Sequence, residues 1–420
     1  MRFSISMFKV AILVDLELSP KSGGHVKFWE NICYSIKNQK DCSITFFFLG
    51  KKAKTIQVSK NITIKIFKPI ISSKILRFIG IDADYTDLNF LNPRLFFLLK
   101  KFDIIHSTDQ LYCMARTAKL ASKAWKIPLT SSYHTDAPSY SKFYVTKIFK
   151  KLPFFINNLI INKLKIPEKV EISIKKKIKK YFNSCEHVMI NNSVKLDNLQ
   201  IKEIDSCNFT DLVRGTNTKI FKKKKVNKPI FLKKYNIPST TKIIFFCGRI
   251  HELKGALFLS KIHKFLTQEK KINVSTVLAG EDLEGEKCKS ICNSQLHIIG
   301  HINQKEIASF FNLCDLFVFP SIYETGPQVV LEAKACNTVC VVSPNGGGKR
   351  IKKSGYDGVV IKDLILKNWV NITSDLLLNP VKIKKIKNNL QKDFDHISWE
   401  KVYRDYFLNK WKIIIRKRNE

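Results

Sequence analysis

Arginine is scarce in this chain. Ten of its 73 basic residues are arginine, at positions 2, 77, 94, 116, 214, 249, 350, 404, 416 and 418. Acidic residues are also few, 35 in all, so the formal net charge is +38. Charge of that size invites a nucleic-acid partner. Base-edge readout and bidentate phosphate capture, however, favour guanidinium over ammonium. The lysine excess therefore reads mainly as solvated surface. No nucleic-acid partner is expected, and an anionic membrane surface is a second candidate partner for the charge.

The eleven cysteines contain no Cys-x-x-Cys pair, and Cys288/Cys292 and Cys336/Cys340 lack histidine partners, which argues against a zinc site. Cys247 and Cys340 lie inside apolar runs, as free thiols in a reducing cytoplasm would. A long apolar run is missing as well, since crossing a bilayer takes ~20 residues. The first apolar stretch is followed by Asp15 and Glu17 and by no small-residue cleavage site. It reads as a first strand, and the protein as cytoplasmic or peripheral on the inner face of the membrane.

Length and composition (420 residues, 45% hydrophobic) suit two or three globular domains. Buried-strand runs alternate with helical periodicity, twice over. Strands are expected at 9–14, 43–49, 62–67, 103–106, 128–133 and 187–190, with helices such as 25–37 and 111–125 between them. A lysine run, Lys222 to Lys225, then Asn227-Lys228-Pro229, marks a change of domain. Further strands are expected at 242–247, 273–279, 296–299, 315–319, 338–342 and 358–361, with helices at 255–269, 304–313 and 327–336. This alternation predicts an α/β chain of two Rossmann-like doubly wound parallel sheets. Ligands of such sheets bind beyond the carboxyl ends of the strands.

The stretch Ser321-Ile322-Tyr323-Glu324-Thr325-Gly326-Pro327-Gln328-Val329-Val330-Leu331-Glu332-Ala333 is the most informative. It follows the apolar run 315–319 and spans a loop-to-helix junction, with Pro327 near the first helical position. Glu324 falls in the crevice and Glu332 within the first two turns of the helix. Unpaired N–H groups between them form an anion site. Amide donors for phosphate and two carboxylates for hydroxyls suit a nucleotide sugar.

Three other segments follow a strand in the same way. Phe245-Phe246-Cys247-Gly248-Arg249-Ile250-His251-Glu252-Leu253-Lys254-Gly255 ends in a basic loop. Ser22-Gly23-Gly24-His25 precedes a helix carrying Phe28, Ile32 and Ile36. Ser131-Ser132-Tyr133-His134-Thr135-Asp136-Ala137-Pro138-Ser139-Tyr140 follows the strand at 128–133.

Together, in this order, these segments resemble the retaining glycosyltransferases of family 4, whose two-domain architecture is GT-B. The resemblance implies that Glu324 binds the hydroxyls of the donor sugar and Glu332 the ribose. Arg249 and Lys254 would hold the diphosphate and stabilise its charge as it leaves. Thr325, Gly326, Pro327 and Gln328 would line the donor, with Gly23 and Gly24 approaching the diphosphate by backbone. His134 would reach the sugar's outer hydroxyl, and Asp136 and Tyr140 would position the acceptor. The family often has Phe-Gly where this chain has Gly326-Pro327. An acidic residue often follows the glycine loop 346–348, where this chain has Lys349-Arg350.

The implied layout is an N-terminal acceptor-side domain over 1–213, a nucleotide-sugar-binding domain over 214–395, and a helix over 396–420 crossing back, with the two sheets facing each other across a cleft. The implied reaction moves a hexosyl group from a nucleoside-diphosphate sugar to an acceptor hydroxyl with retention, in glycolipid or cell-surface polysaccharide synthesis. It takes no metal and no cofactor beyond the nucleotide sugar as co-substrate. A GT-B epimerase or hydrolase acting on the donor alone is the rival enzyme. The rival outside enzymes is a basic protein that binds nucleic acid or a membrane surface. Asp82-Ala83-Asp84 and Asp393-Phe394-Asp395 imitate a metal-binding Asp-x-Asp, but neither follows a strand.

The segment 146–181 has two readings. Ile148, Leu152, Phe155, Leu159 and Ile160 recur at helical spacing among lysines, with Pro153 breaking the run. They form either a core-facing helix or a membrane-interface stripe.

Overall fold

The computed structural model describes residues 7–20, 22–79, 85–190, 209–322, 324 and 326–420. The chain divides into two compact units, Met1–Arg214 with Trp399–Glu420, and Gly215–Ser398.

The first unit is built on β1 (Phe8–Glu17), β2 (Cys42–Leu49), β3 (Lys54–Ser59), β4 (Ile62–Phe67), β5 (Ile104–Ser107), β6 (Leu129–Tyr133), β7 (His187–Ile190) and β8 (Phe209–Asp211). They form one sheet in the order β3-β4-β2-β1-β5-β6-β7-β8, parallel except for the β3–β4 pair. Val10 to Val14 are all buried, because a central parallel strand is covered on both faces. Its helices are α1 (Gly24–Ser35), α2 (Pro93–Leu99), α3 (Cys113–Trp125), α4 (Ala137–Phe149), α5 (Phe154–Asn158) and α6 (Ile166–Phe182). Leu95, Leu99, Met114, Ala118, Ile178 and Phe182 pack from these helices onto one face of the sheet.

The segment 146–181 is not one core-facing helix. α4 ends before Pro153, a π turn over Leu159–Lys163 follows α5, and no residue of α5 or the π turn is buried. Only the far end of α6, at Ile178, Tyr181 and Phe182, joins the core.

The second unit holds β9 (Lys242–Cys247), β10 (Val274–Ala279), β11 (Leu296–Gly300), β12 (Leu316–Phe319), β13 (Cys340–Val342) and β14 (Val359–Val360). They form an all-parallel sheet in the order β11-β10-β9-β12-β13-β14. α7 (Lys228–Lys233), α8 (Ala256–Gln268), α9 (Gly285–Ile291), α10 (Gln304–Leu313), α11 (Gln328–Ala335), α12 (Leu366–Leu378) and α13 (Pro380–Asp393) accompany it. Aromatic stacking fills the space between β9 and α10, where the Phe245 and Phe310 rings lie 4.8 Å apart. Chain order reverses between β9 and β12, so their carboxyl ends open a crevice at the switch point of the sheet.

Among the described residues, all ten cysteines are free and buried. No described helix is long and apolar enough to cross a membrane.

Candidate active site

The turn after β9 and the loop after β12 are stitched together. Ile322 N donates to the Leu253 carbonyl at 2.9 Å, and Ser321 Oγ donates to the same oxygen at 3.1 Å. Ser343 Oγ in turn donates to the Ser321 carbonyl at 2.5 Å. Gly255 holds a left-handed φ of 81°, and a Cβ there would lie 2.4 Å from the Pro320 carbonyl oxygen. Only glycine lets α8 start this close to the end of β12.

That stitching sets Lys254 against Glu324. Nζ and Oε1 are 2.5 Å apart, with each side chain about 15% exposed. Ser321 Oγ lies 3.3 Å from the same Oε1. The pair is thus held in place yet still reachable from solvent. Arg249 is half-buried in the same β9 turn.

α11 begins at Gln328 with Pro327 as its N-cap. Among the described residues no side chain caps this end, and no acidic residue occupies the first turn. Such an end leaves amide donors and a positive dipole for an anion. Gln328 Nε2 donates to the Gly215 carbonyl at 2.7 Å, tying the helix start to the first residues of the unit. Gly326 is buried with φ 151°. Thr325 lies outside the described residues.

Glu332 is 8% exposed on the second turn of α11. Burial pushes the Cys247 thiol well up, and the Glu332 carboxylate pushes it further. This places that carboxylate beside the end of β9. The second unit therefore gathers Arg249, Lys254, Glu324 and Glu332 around the neighbouring ends of β9 and β12.

Two supports of this group were not singled out from the sequence, and a third differs from its expected form. Glu284, nearly buried, accepts from Glu252 N at 2.6 Å and pairs with Lys287 at 2.8 Å. Burial alone would raise its pKa, but these donors bring it below the ordinary value. In the last turn of α11, Lys334 meets Asp357 at 2.6 Å, with about 7% and 6% of the side chains exposed. Lys334 Nζ also donates to the Arg350 carbonyl at 2.6 Å. The third support is the glycine run 346–348, for which a flexible loop is expected from the sequence. Gly346 and Gly347 are instead buried. A Cβ on Gly346 would meet Ser343 Oγ at 2.4 Å and the Phe319 carbonyl oxygen at 2.7 Å. Close packing, rather than looseness, accounts for glycine there.

In the first unit, His134 follows β6 and is 5% exposed. Its ring stacks on His25 at 4.4 Å and 8°. The Trp29 indole N–H donates to His134 Nε2 at 3.2 Å. An indole nitrogen only donates, so Nε2 accepts and the neutral ring carries its proton on Nδ1. The Ser132 hydroxyl, 2.8 Å from the same Nε2, then donates to it and accepts from His106 Nε2 at 2.9 Å. Burial lowers the His134 pKa well below the usual range, helped by His25, Arg214 and His106.

His25 was not singled out from the sequence. It is half-buried, bonds Thr108 Oγ1 at 2.8 Å, and is lowered to about 3 by burial and by Arg214. Arg214 is itself buried, 5.5 Å from the Phe28 ring. A local signal existed for His25, which directly follows the paired glycines.

Gly23 caps α1 with ordinary φ −71°, and a Cβ on Gly23 or Gly24 would meet nothing within 4 Å. Among the described residues, nothing requires glycine at these two positions. Asp136 is the N-cap of α4, accepting from Ser139 N at 3.4 Å, and Tyr140 is half-buried on that helix. Asp15 at the end of β1 is fully buried and accepts from Thr86 Oγ1, Asp87 N and Met114 N. It anchors the 86–87 segment and the start of α3. Of the two Asp-x-Asp imitations, 82–84 lies outside the described residues. Asp393 ends α13, where it accepts from the Tyr356 hydroxyl at 2.7 Å.

Comparison with known proteins assigns this architecture. Residues 227–393 match the family described as Glycosyl transferases group 1. The Corynebacterium glutamicum GDP-mannose-dependent alpha-mannosyltransferase is 22% identical over 278 residues, covering 66% of this chain and 59% of that protein. The Escherichia coli UDP-Gal:alpha-D-GlcNAc-diphosphoundecaprenol alpha-1,3-galactosyltransferase is 24% identical over 39% of this chain and 44% of its own length. The matched stretch is therefore less than two thirds of either relative. Among solved structures, HepE from Anabaena with UDP and glucose superposes with a TM-score of 0.66 at 14% identity, covering 95% of this chain and 98% of that one. Sucrose-phosphate synthase from Thermosynechococcus elongatus gives 0.69 at 14%, covering 97% and 99%. The chain has the GT-B fold, and within its second unit residues 227–393 are what resembles the group 1 glycosyltransferases.

Proposed function

We propose that this protein transfers a hexosyl group from a nucleoside-diphosphate sugar to an acceptor hydroxyl, with retention and without a metal. The observation that carries the reading is the Lys254–Glu324 pair at the crevice, with Glu332 buried on the second turn of α11. A cation, an uncapped helix start and two carboxylates are what a diphosphate bearing a sugar and a ribose requires. Lys254 and Arg249 stabilise the departing diphosphate. Glu324 orients the sugar hydroxyls and Glu332 holds the ribose. Gly326, Pro327 and Gln328, with Thr325, line the phosphates, and Gly23 and Gly24 approach them by backbone. His134 approaches the sugar's outer hydroxyl, and Asp136 and Tyr140 serve the acceptor. As the glycosidic bond breaks, the leaving phosphate accepts the acceptor's proton on the same face, so no protein nucleophile is needed. The acceptor is a lipid-linked or glycan hydroxyl of cell-surface synthesis. The galactosyltransferase relative, whose name specifies a diphosphoundecaprenol-linked sugar, supports this choice.

Ligand-observed NMR against UDP- and GDP-sugars tests the donor. One donor is expected to bind the wild type, and Glu324→Ala is expected to lose it with its circular dichroism unchanged. Unchanged binding in that variant overturns the assignment. Release of free sugar or an epimerised donor, with no acceptor product, points instead to a hydrolase or epimerase. Activity that vanishes with EDTA and returns with manganese refutes the metal-independent mechanism.

A further inference from the structure

We infer that the tip of the α4–α6 hairpin, residues 150–165, docks the protein on an anionic membrane. The inference stands on the surface of the first unit and is independent of the sugar-transfer reading. Phe154 and Phe155 are 72% and 84% exposed, and Leu152, Ile156, Leu159 and Leu164 are exposed beside them. This is a contiguous run, unlike the scattered apolar residues normal on a soluble surface. None of the side chains of α5 or the π turn is buried, so the run contributes nothing to the core of its own unit.

The charge around it is of one sign. Between Asp136 and Glu168 the sequence has six lysines and no acidic residue. Lys150, Lys151, Lys163 and Lys165 flank the apolar run and are exposed. The nearest acids further along are already paired: Glu171 with Lys142 at 3.1 Å and Lys175 at 2.7 Å, and Glu168 with Lys142 at 3.4 Å. Those pairs also brace α4 against α6, whose far end is anchored by Ile178, Tyr181 and Phe182. The tip is therefore held outward on a fixed stem. Aromatic and aliphatic side chains enter the headgroup boundary while lysines meet anionic lipid, the arrangement of an interfacial element. A protein partner or a second copy would require acidic groups facing these lysines. The fourfold-basic rim fits a continuous anionic sheet better.

The test uses the full-length protein and vesicles of phosphatidylglycerol with phosphatidylcholine, compared with phosphatidylcholine alone. Co-flotation with the anionic vesicles only is expected. The double variant Phe154→Ser/Phe155→Ser should lose at least about tenfold in binding with an unchanged melting temperature, since both side chains are exposed. Exchanging Lys150, Lys151, Lys163 and Lys165 for glutamine should cost more than about 100-fold, at roughly fivefold per lysine. Phe155→Trp should show a blue-shifted emission on binding. The proposal is overturned if wild type stays with the soluble fraction at low salt. It is equally overturned if the serine variant binds like wild type, which would mean general adsorption of a basic protein. Loss of a dimer in the serine variant, with no vesicle binding by wild type, would make the tip a protein interface instead.

Discussion

Lys254 and Glu324 satisfy each other, with each side chain about 15% exposed. Truncating either leaves a partly buried charge alone, and a penalty of about 1–3 kcal/mol in stability is expected from that alone. Catalysis should suffer more: Lys254→Ala is expected to lower kcat/KM on the order of 100-fold or more, as loss of an oxyanion-type donor does. Lys254→Arg, which retains charge, should recover part of it. Equal activity in all three proteins would remove Lys254 from the reaction. At the same scale, His187 is lowered to about 4 by burial and by Lys410. A histidine depressed in the folded state adds stability that is full above its unfolded pKa near 6.5 and is lost as pH falls towards the folded value. Asp15 and Asp109 are raised by burial and act in the opposite direction. The clean readout is therefore a difference. The stability gap between wild type and His187→Gln in urea should shrink by about 1.4 kcal/mol per pH unit below pH 6.5. A gap independent of pH would refute the buried neutral histidine.

Elements were legible where their pattern was strong. β9 and β12 are continuous apolar runs whose positions could be read within a residue, whereas β1 runs three residues past its expected end, through Asp15 to Glu17. β3, Lys54-Thr55-Ile56-Gln57-Val58-Ser59, could not be read. It is an antiparallel edge strand, lined by half-exposed polar residues, and its pairing partner is only visible in the sheet. The four charged candidates could be located because each follows a strand at a spacing shared with a known motif. Their supports could not, since Lys334 and Asp357 meet only through packing. Asp357→Ala is expected to cost about 3–5 kcal/mol by stranding a buried ammonium. Thermal melts of that variant beside Lys334→Met/Asp357→Leu should show the double variant nearer to wild type. Gly255→Ala tests the other brace. Its left-handed backbone and the 2.4 Å approach to Pro320 predict a loss of more than about 1 kcal/mol, measurable by urea unfolding. A neutral result would mean that α8 shifts freely.

On the scale of the whole molecule, the first unit is assembled from two separate stretches of chain. α14 (Trp399–Val402), a π turn (Tyr403–Leu408) and α15 (Asn409–Asn419) belong with residues 1–214. Trp399 and Phe407 lie against Phe28 at 5.0 and 6.1 Å, and Trp411 stands 5.8 Å from His106. Removing the Trp411 ring is expected to cost about 3–5 kcal/mol. The resemblance implied a helix over 396–420 crossing back. That the returning aromatics floor the imidazole cluster of His25, His106 and His134 could not be read from sequence, because nothing local links position 28 to position 407.

This arrangement has a consequence for biosynthesis. A ribosome delivers β1 to β8 early, but the rings that cover Phe28 and Trp29 emerge only after the entire six-stranded sheet has been made. During that interval Phe28 and Trp29 lack the rings of Trp399 and Phe407 that pack on them in the finished unit. The second unit, continuous in the chain, has no such wait.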